Sequence, residues 1–193
     1  MDRFPEHIGS NEVRPVTVVE DIHRMTVDEY VHIVRDLGWE STELVEGVVY
    51  DVSPSYGLHT RTVMHVFRQI DALVARDTAF NVGSVLLSPR TLVDPDVYVV
   101  TNADVVTDLA ATPGSAVILA VEVSVTTQAH DRGPKLIAYA KAGVPEVWLI
   151  DPRPEVGELV RHRDPDGASY RTVDGFDVGE NAEHLDVVAM LRR

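Results

Sequence analysis

The stretch AVILAVEVSVTT at 116–127, followed by HDRGPKLIAYAKAGVPEVWLID at 130–151, decides how the rest of the chain is read. Val117, Leu119, Val121, Val123 and Val125 alternate with Ile118, Ala120, Glu122 and Ser124, so an extended segment sorts them onto two faces. Both faces are apolar through residue 121, the pattern of a strand buried on both sides of a sheet. Glu122 then interrupts the second face. An ionised carboxylate in such a place is costly unless a cation or hydrogen bonds compensate it. Next comes a helix expected from about Arg132 to Ala142, stopped by Gly143 and Pro145, and then a buried strand, EVWLID at 146–151. Strand, helix and strand in this order predict a right-handed parallel crossover, and with it a mixed sheet.

The rest of the chain is compatible with one domain. At 193 residues, 45% hydrophobic and 25% charged, it has the composition of an ordinary globular protein with one sizeable core. No apolar run has the length of a membrane span, and the first 16 residues carry charges and prolines where a secretory signal would be apolar. There is no cysteine, which excludes disulfides and thiolate metal sites and agrees with a cytoplasmic address. The formal net charge of −14 works against non-specific attraction to nucleic acid. Of 17 basic residues only two are lysines, Lys135 and Lys141, and both fall on the helix beside the buried strand. A compact ammonium at one site is something arginine cannot supply; a coding preference for arginine accounts for the count equally well.

Residues 1–24, rich in proline and charge, read as a flexible lead-in, with residues 25–193 as a single domain. TVDEYVHIVRDL at 26–37 has a helix start in Thr26, a capping box with Glu29 and a stop at Gly38. TELVEGVVYDVSP at 42–54 reads as two strands around a turn at Glu46–Gly47. Val63, Val66, Phe67, Ile70, Leu73 and Val74 recur at helical spacing within 59–76. FNVGSVLLSP at 80–89 and DVYVVT at 96–101 predict two strands, the second after an Asp94–Pro95 turn. Residues 102–114 read as an acidic connection and 156–188 as a polar hairpin. The class is α/β or α+β.

Asp96 at the start of one strand and Glu122 inside the next form a pair of carboxylates able to hold a hard divalent cation. A nearby lysine then completes a set suited to phosphodiester hydrolysis. The segments MTVDEY at 25–30, ELVEGVVYDVSP at 43–54, His59, DPDVYVV at 94–100, VEVSVTT at 121–127 and DRGPKLIAYAKAGVPEVWLID at 131–151 resemble the PD-(D/E)XK nuclease superfamily, specifically the restriction-endonuclease-like Uma-two family. The family's run D-x-x-x-K-x-x-x-Y-x-x-x-G-V-x-E-x-W-x-x-D is present in full at 131–151.

The resemblance implies a restriction-endonuclease-like core, a mixed central β-sheet flanked by helices. It implies Asp96 and Glu122 as ligands of Mg²⁺ or Mn²⁺, with the Val123 carbonyl as a third. It also implies Lys135 as the catalytic lysine and Glu43 as a further carboxylate beside the metal. Glu46, at the turn, is the competing carboxylate and reads as solvated. The superfamily's usual lysine lies two residues after the glutamate, where this chain has Ser124; Lys135 stands where a lysine relocated to the helix belongs. His59 is a candidate substrate-binding residue, against the plainer reading of a polar helix start. Tyr139, one turn after Lys135, reads as packing, and Asp131 as a helix cap.

The expected activity is therefore metal-dependent endonucleolytic hydrolysis, with DNA as substrate and no membrane partner. A homodimer is the simplest way to cut both strands of a duplex. Two other readings stay open: a catalytically silent interaction or assembly module on the same fold, and a hydrolase of another phosphoester.

Overall fold

The structure, a computed structural model, describes residues 23–38, 41–52, 57–107, 110–124, 131–153 and 156–177. The first helix, α1 (Val27–Leu37), begins and ends as its sequence requires. The Thr26 hydroxyl accepts from the Glu29 N–H, the Glu29 carboxylate accepts from the Thr26 N–H, and Gly38 closes the helix at φ 65°. Strands β1 (Thr42–Val45) and β2 (Val48–Asp51) form the expected hairpin. Its two turn residues, Glu46 and Gly47, take φ of 51° and 77°, the left-handed pair that a two-residue hairpin turn demands. A Cβ on Gly47 would stand 2.5 Å from Cβ of Arg24, so only glycine lets the segment before α1 cross the turn.

Helix α2 (Gly57–Asp71) is followed by β3 (Ala79–Phe80), β4 (Val85–Ser88), β5 (Thr91–Val93), β6 (Val97–Val100), β7 (Thr112–Pro113) and β8 (Val117–Val123). Then come α3 (Leu136–Lys141), β9 (Glu146–Asp151), β10 (Glu158–Asp166) and β11 (Ser169–Asp177). Six strands lie in the order β11-β10-β9-β8-β6-β3, and five in the order β2-β1-β5-β4-β7. The β8–β9 pair is parallel, as the crossover predicts, and the other pairs of the larger sheet are antiparallel.

The larger sheet is the central layer. On one side Val97, Val99, Leu119, Val121, Trp148 and Ile150 meet Val63, Val66 and Ile70 of α2. Burying each such side chain is worth about 1.5–3 kcal/mol. On the other side Tyr98, Ala120, Val147 and Leu149 meet Val45, Val85 and Val93 of the smaller sheet, together with Ala138 and Tyr139 of α3. The mixed central sheet of the sequence reading is therefore present. A helix flanks one face, while a second sheet and a short helix cover the other. Among the described residues no helix is long and apolar enough to cross a membrane.

Several boundaries differ from expectation. The segment 80–89 is two strands in two sheets: Gly83, at φ 114°, turns the chain where a Cβ would come within 2.9 Å of the Tyr98 hydroxyl. The short strand β5, which the sequence reading leaves out, then pairs with both β4 and β1. Ile118, read as buried, is 40% exposed, so the second face of β8 is covered only from Ala120 onward. Helix α2 stops at Asp71, because the Leu73 N–H bonds to Ile70 O and tightens the last turn. The expected helix from 132 is a wide π-type turn over Asp131–Lys135, broken at Gly133 and Pro134, and regular α-helix begins only at Leu136. Residues 1–22 of the lead-in, Val125 of the expected strand, 178–188 of the expected hairpin and 189–193 lie outside the described residues, as does the side chain of Asp131.

Candidate active site

Three elements deliver the charged groups. Glu43 sits in β1 of the smaller sheet, Glu122 near the end of β8 in the larger one, and Lys135 at the entry to α3. Glu122 extends the face of Ala120, toward the smaller sheet and α3. The break at Gly133 and Pro134 ends the wide turn so that Lys135 immediately precedes the helix that packs there.

The Lys135 Nζ lies 2.8 Å from Glu43 Oε1 and 2.9 Å from Glu122 Oε2. Its side chain is 4% exposed, and those of Glu43 and Glu122 are 3% and 4% exposed. The cluster is buried, and two carboxylates compensate one ammonium, as a charge out of water requires. Two further donors reach the carboxylates. The Asp94 backbone N–H donates to Glu43 Oε1 at 2.8 Å, and the Tyr139 hydroxyl donates to Glu122 Oε1 at 2.6 Å.

Asp96 stands beside this cluster. The register Val97↔Val121 continues to place Asp96 opposite Glu122, and the Val123 N–H donates to Asp96 Oδ2 at 2.7 Å. His59, in the first turn of α2, puts Nε2 3.0 Å from Asp96 Oδ1. The sequence candidates Glu43, Glu122 and Lys135 are thus in direct contact, Asp96 joins them through the backbone of β8, and His59 reaches them through Asp96. Glu46 pairs at the surface with Lys141, 3.2 Å away. Ser124, at the superfamily's usual lysine position, is buried, with its N–H bonded to Ile150 O.

Two contributions escaped the sequence reading. Tyr139 acts through its hydroxyl as well as its ring, and the i, i+4 spacing from Lys135 was the available signal. Asp94, read only as a turn residue, contributes its N–H to Glu43. Asp94 is exposed as a residue, but the protein groups crowded around its carboxyl strip some of its hydration and raise it above its ordinary value. A hydrogen bond from Ser84 opposes that shift, the charge of Glu43 adds to it, and Lys135 offsets it.

The Uma2 family, described as "Putative restriction endonuclease", matches residues 27–192. The chain belongs to that family. A solved structure from Anabaena variabilis ATCC 29413, described as a putative nuclease belonging to DUF820, is similar with a TM-score of 0.60 and 20% identity. The match covers 79% of this chain and 84% of that one, and at such identity it speaks for the fold. No curated protein matches the chain.

The family implies a divalent cation, and the donor chemistry fits one. The carboxylates are hard oxygen ligands, and the ammonium between two of them marks a place where positive charge is held. Among the described residues no group of three or more His, Asp or Glu side chains is arranged to hold an ion. Two carboxylates, with water and substrate oxygens completing the shell, is the usual arrangement for Mg²⁺.

Proposed function

We propose that this Uma2 protein is a metal-dependent endonuclease that hydrolyses phosphodiester bonds, with DNA as its substrate. The observation that carries the reading is the buried ammonium of Lys135 between Glu43 and Glu122, with Asp96 on the neighbouring strand. A purely structural lysine on a helix this short would be expected at the surface, as Lys141 is.

Asp96 and Glu122 are the residues that would hold Mg²⁺ or Mn²⁺. The ion, when bound, offsets charge on the phosphoryl oxygens and makes a bound water more acidic. Lys135 orients the attacking water and adds a positive charge where negative charge develops. Glu43 keeps that ammonium in place, and the Asp94 N–H keeps Glu43 in place. His59, against Asp96 at the edge of the cluster, would contact the substrate. The water oxygen bonds to phosphorus as the bond from phosphorus to the leaving oxygen breaks. One water proton ends on the leaving oxygen and the other in solvent, giving a phosphomonoester and a free hydroxyl. Cutting both strands of a duplex would be served by a homodimer.

The test is cleavage of duplex DNA, single-stranded DNA and RNA with Mg²⁺ or Mn²⁺, comparing the native chain with Glu122→Ala. Cleavage lost in the variant is the expected result. The net charge of −14 favours two rivals, and the same assay separates them. Hydrolysis confined to small phosphodiesters would point to another phosphoester substrate, and no hydrolysis under either metal would leave an interaction module.

A further inference from the structure

We infer that Tyr139 is a positioning residue that sets the orientation of the Glu122 carboxylate for the cation; this rests on the metal-dependent reading of the site. The Tyr139 ring is fully buried in the apolar cluster between α3 and the sheets. Phenylalanine would fill nearly the same volume there without bringing a hydroxyl out of water. A buried phenol has to find a hydrogen-bond partner, and this one meets Glu122 Oε1 at 2.6 Å. That length is typical of a hydroxyl donating to an ionised carboxylate, among the stronger hydrogen bonds in proteins.

Geometry gives the bond its use. Lys135 and Tyr139 are four residues apart at the start of α3, so their side chains leave the same face. They take different oxygens of one carboxylate, Lys135 on Oε2 and Tyr139 on Oε1. The terminal torsion of a glutamate is broad and weakly restrained by itself, and two donors fixed on one helix define its plane. A cation held by Glu122 would compete with the Lys135 ammonium, whereas the neutral Tyr139 hydroxyl need not leave. Tyr139 would therefore hold the orientation of the carboxylate with or without a bound ion. Partners that orient ligands in this way commonly change metal affinity by roughly 10–100-fold when removed.

Tyr170 provides an internal control. It is also buried, in the same apolar cluster, but its hydroxyl donates to the Val144 carbonyl, at 2.9 Å, and not to a carboxylate. The experiment is Mn²⁺ titration of the full chain followed by electron paramagnetic resonance, with circular dichroism to verify folding. Tyr139→Phe is expected to weaken Mn²⁺ binding by about 10–100-fold, and Tyr170→Phe to leave it unchanged. Unchanged affinity in Tyr139→Phe overturns the inference, and so does an equal loss in Tyr170→Phe, which would indicate general loosening of the core. Should Tyr139→Phe not fold, Tyr139→Gln takes its place, with a shorter donor: weaker binding supports the inference and native affinity overturns it. A native chain that binds no Mn²⁺ would instead defeat the metal-dependent reading itself, so the two failures are distinguishable.

Discussion

Two lysines, one at each end of α3, tie that helix to the β1–β2 hairpin, and they do so under opposite conditions. Lys141 meets Glu46 at 3.2 Å with both side chains nearly half exposed, 47% and 43%. Lys135 meets Glu43 at 2.8 Å with both side chains almost fully enclosed, and it meets Glu122 as well. Charge type, helix and hairpin are the same; the surroundings differ. In water the attraction of an ion pair is largely offset by hydration and by the entropy of two long side chains. Inside, the charges are compensated by each other and by fixed donors such as the Asp94 N–H and the Tyr139 hydroxyl, so the arrangement is sensitive to any added or removed charge. A site that must respond to a cation and a phosphate belongs in the second setting.

The largest expected effect is at Lys135. Because it is buried between two carboxylates, Lys135→Ala leaves them facing each other, and metal-free stability should fall by about 3–5 kcal/mol. Hydrolysis should also drop, on the order of 10²–10³-fold, and Lys135→Arg should not restore it, since a planar guanidinium cannot take the ammonium's place. Lys141→Ala should cost less than about 1 kcal/mol and leave cleavage intact. Urea unfolding and a cleavage assay on the three variants check this. Equal losses at both lysines would dissolve the contrast between them.

The second effect comes from adding charge. A divalent ion bound at Asp96 and Glu122 should raise the melting temperature by mass action, about 2.7 kcal/mol at a hundredfold excess over Kd. In Glu122→Ala the rise should be nearly absent. Thermal melts with and without Mn²⁺ decide it, and equal shifts in both proteins would place the ion elsewhere.

How much of this was legible beforehand depends on the range of the interaction. The Thr26–Glu29 box, the Glu46–Gly47 turn and the alternation through 117–123 are local patterns, and each produced its element. The Lys135–Glu43 contact spans 92 residues and joins the entry of α3 to the smaller sheet, so no periodicity could announce it; the family motif brought those residues to notice, and folding brought them together. The exposure of Ile118 was hidden because the extent of the covering layer is a property of the smaller sheet, not of β8. Strand β5, three residues between two turns, was too short to show a pattern.

A third effect tests the layer that holds the site without touching its charges. Gly83→Ala introduces a side chain at φ 114° and 2.9 Å from the Tyr98 hydroxyl, where the chain passes from one sheet to the other. The cost should be about 1–3 kcal/mol, read by urea unfolding, with the Mn²⁺ shift retained. Loss of that shift would mean that the carboxylates depend on the sheet crossing more closely than their direct contacts indicate.

The smallest effect extends the contrast to an exposed charge, Glu29, whose main partners are the backbone and hydroxyl of Thr26, with His23 a lesser one. The Glu29 carboxyl is held below its ordinary value of 4.5, first by the Thr26 backbone N–H, then by the Thr26 hydroxyl. A carboxyl whose folded value is depressed stabilises the fold above its unfolded value, and that contribution disappears as pH falls through the folded one. Glu29→Gln should therefore reduce stability at pH 7 and make little difference once the carboxyl is protonated in both states. Thr26→Ala removes the hydroxyl that caps α1 and should cost about 1 kcal/mol. Part of that loss should persist in acid, because the hydroxyl still accepts from the Glu29 N–H when the carboxylate is neutral. Unfolding of the two variants across pH 2–7 separates the parts. A Glu29→Gln effect that stayed constant down to the lowest pH would show that the side chain contributes by packing and not by charge.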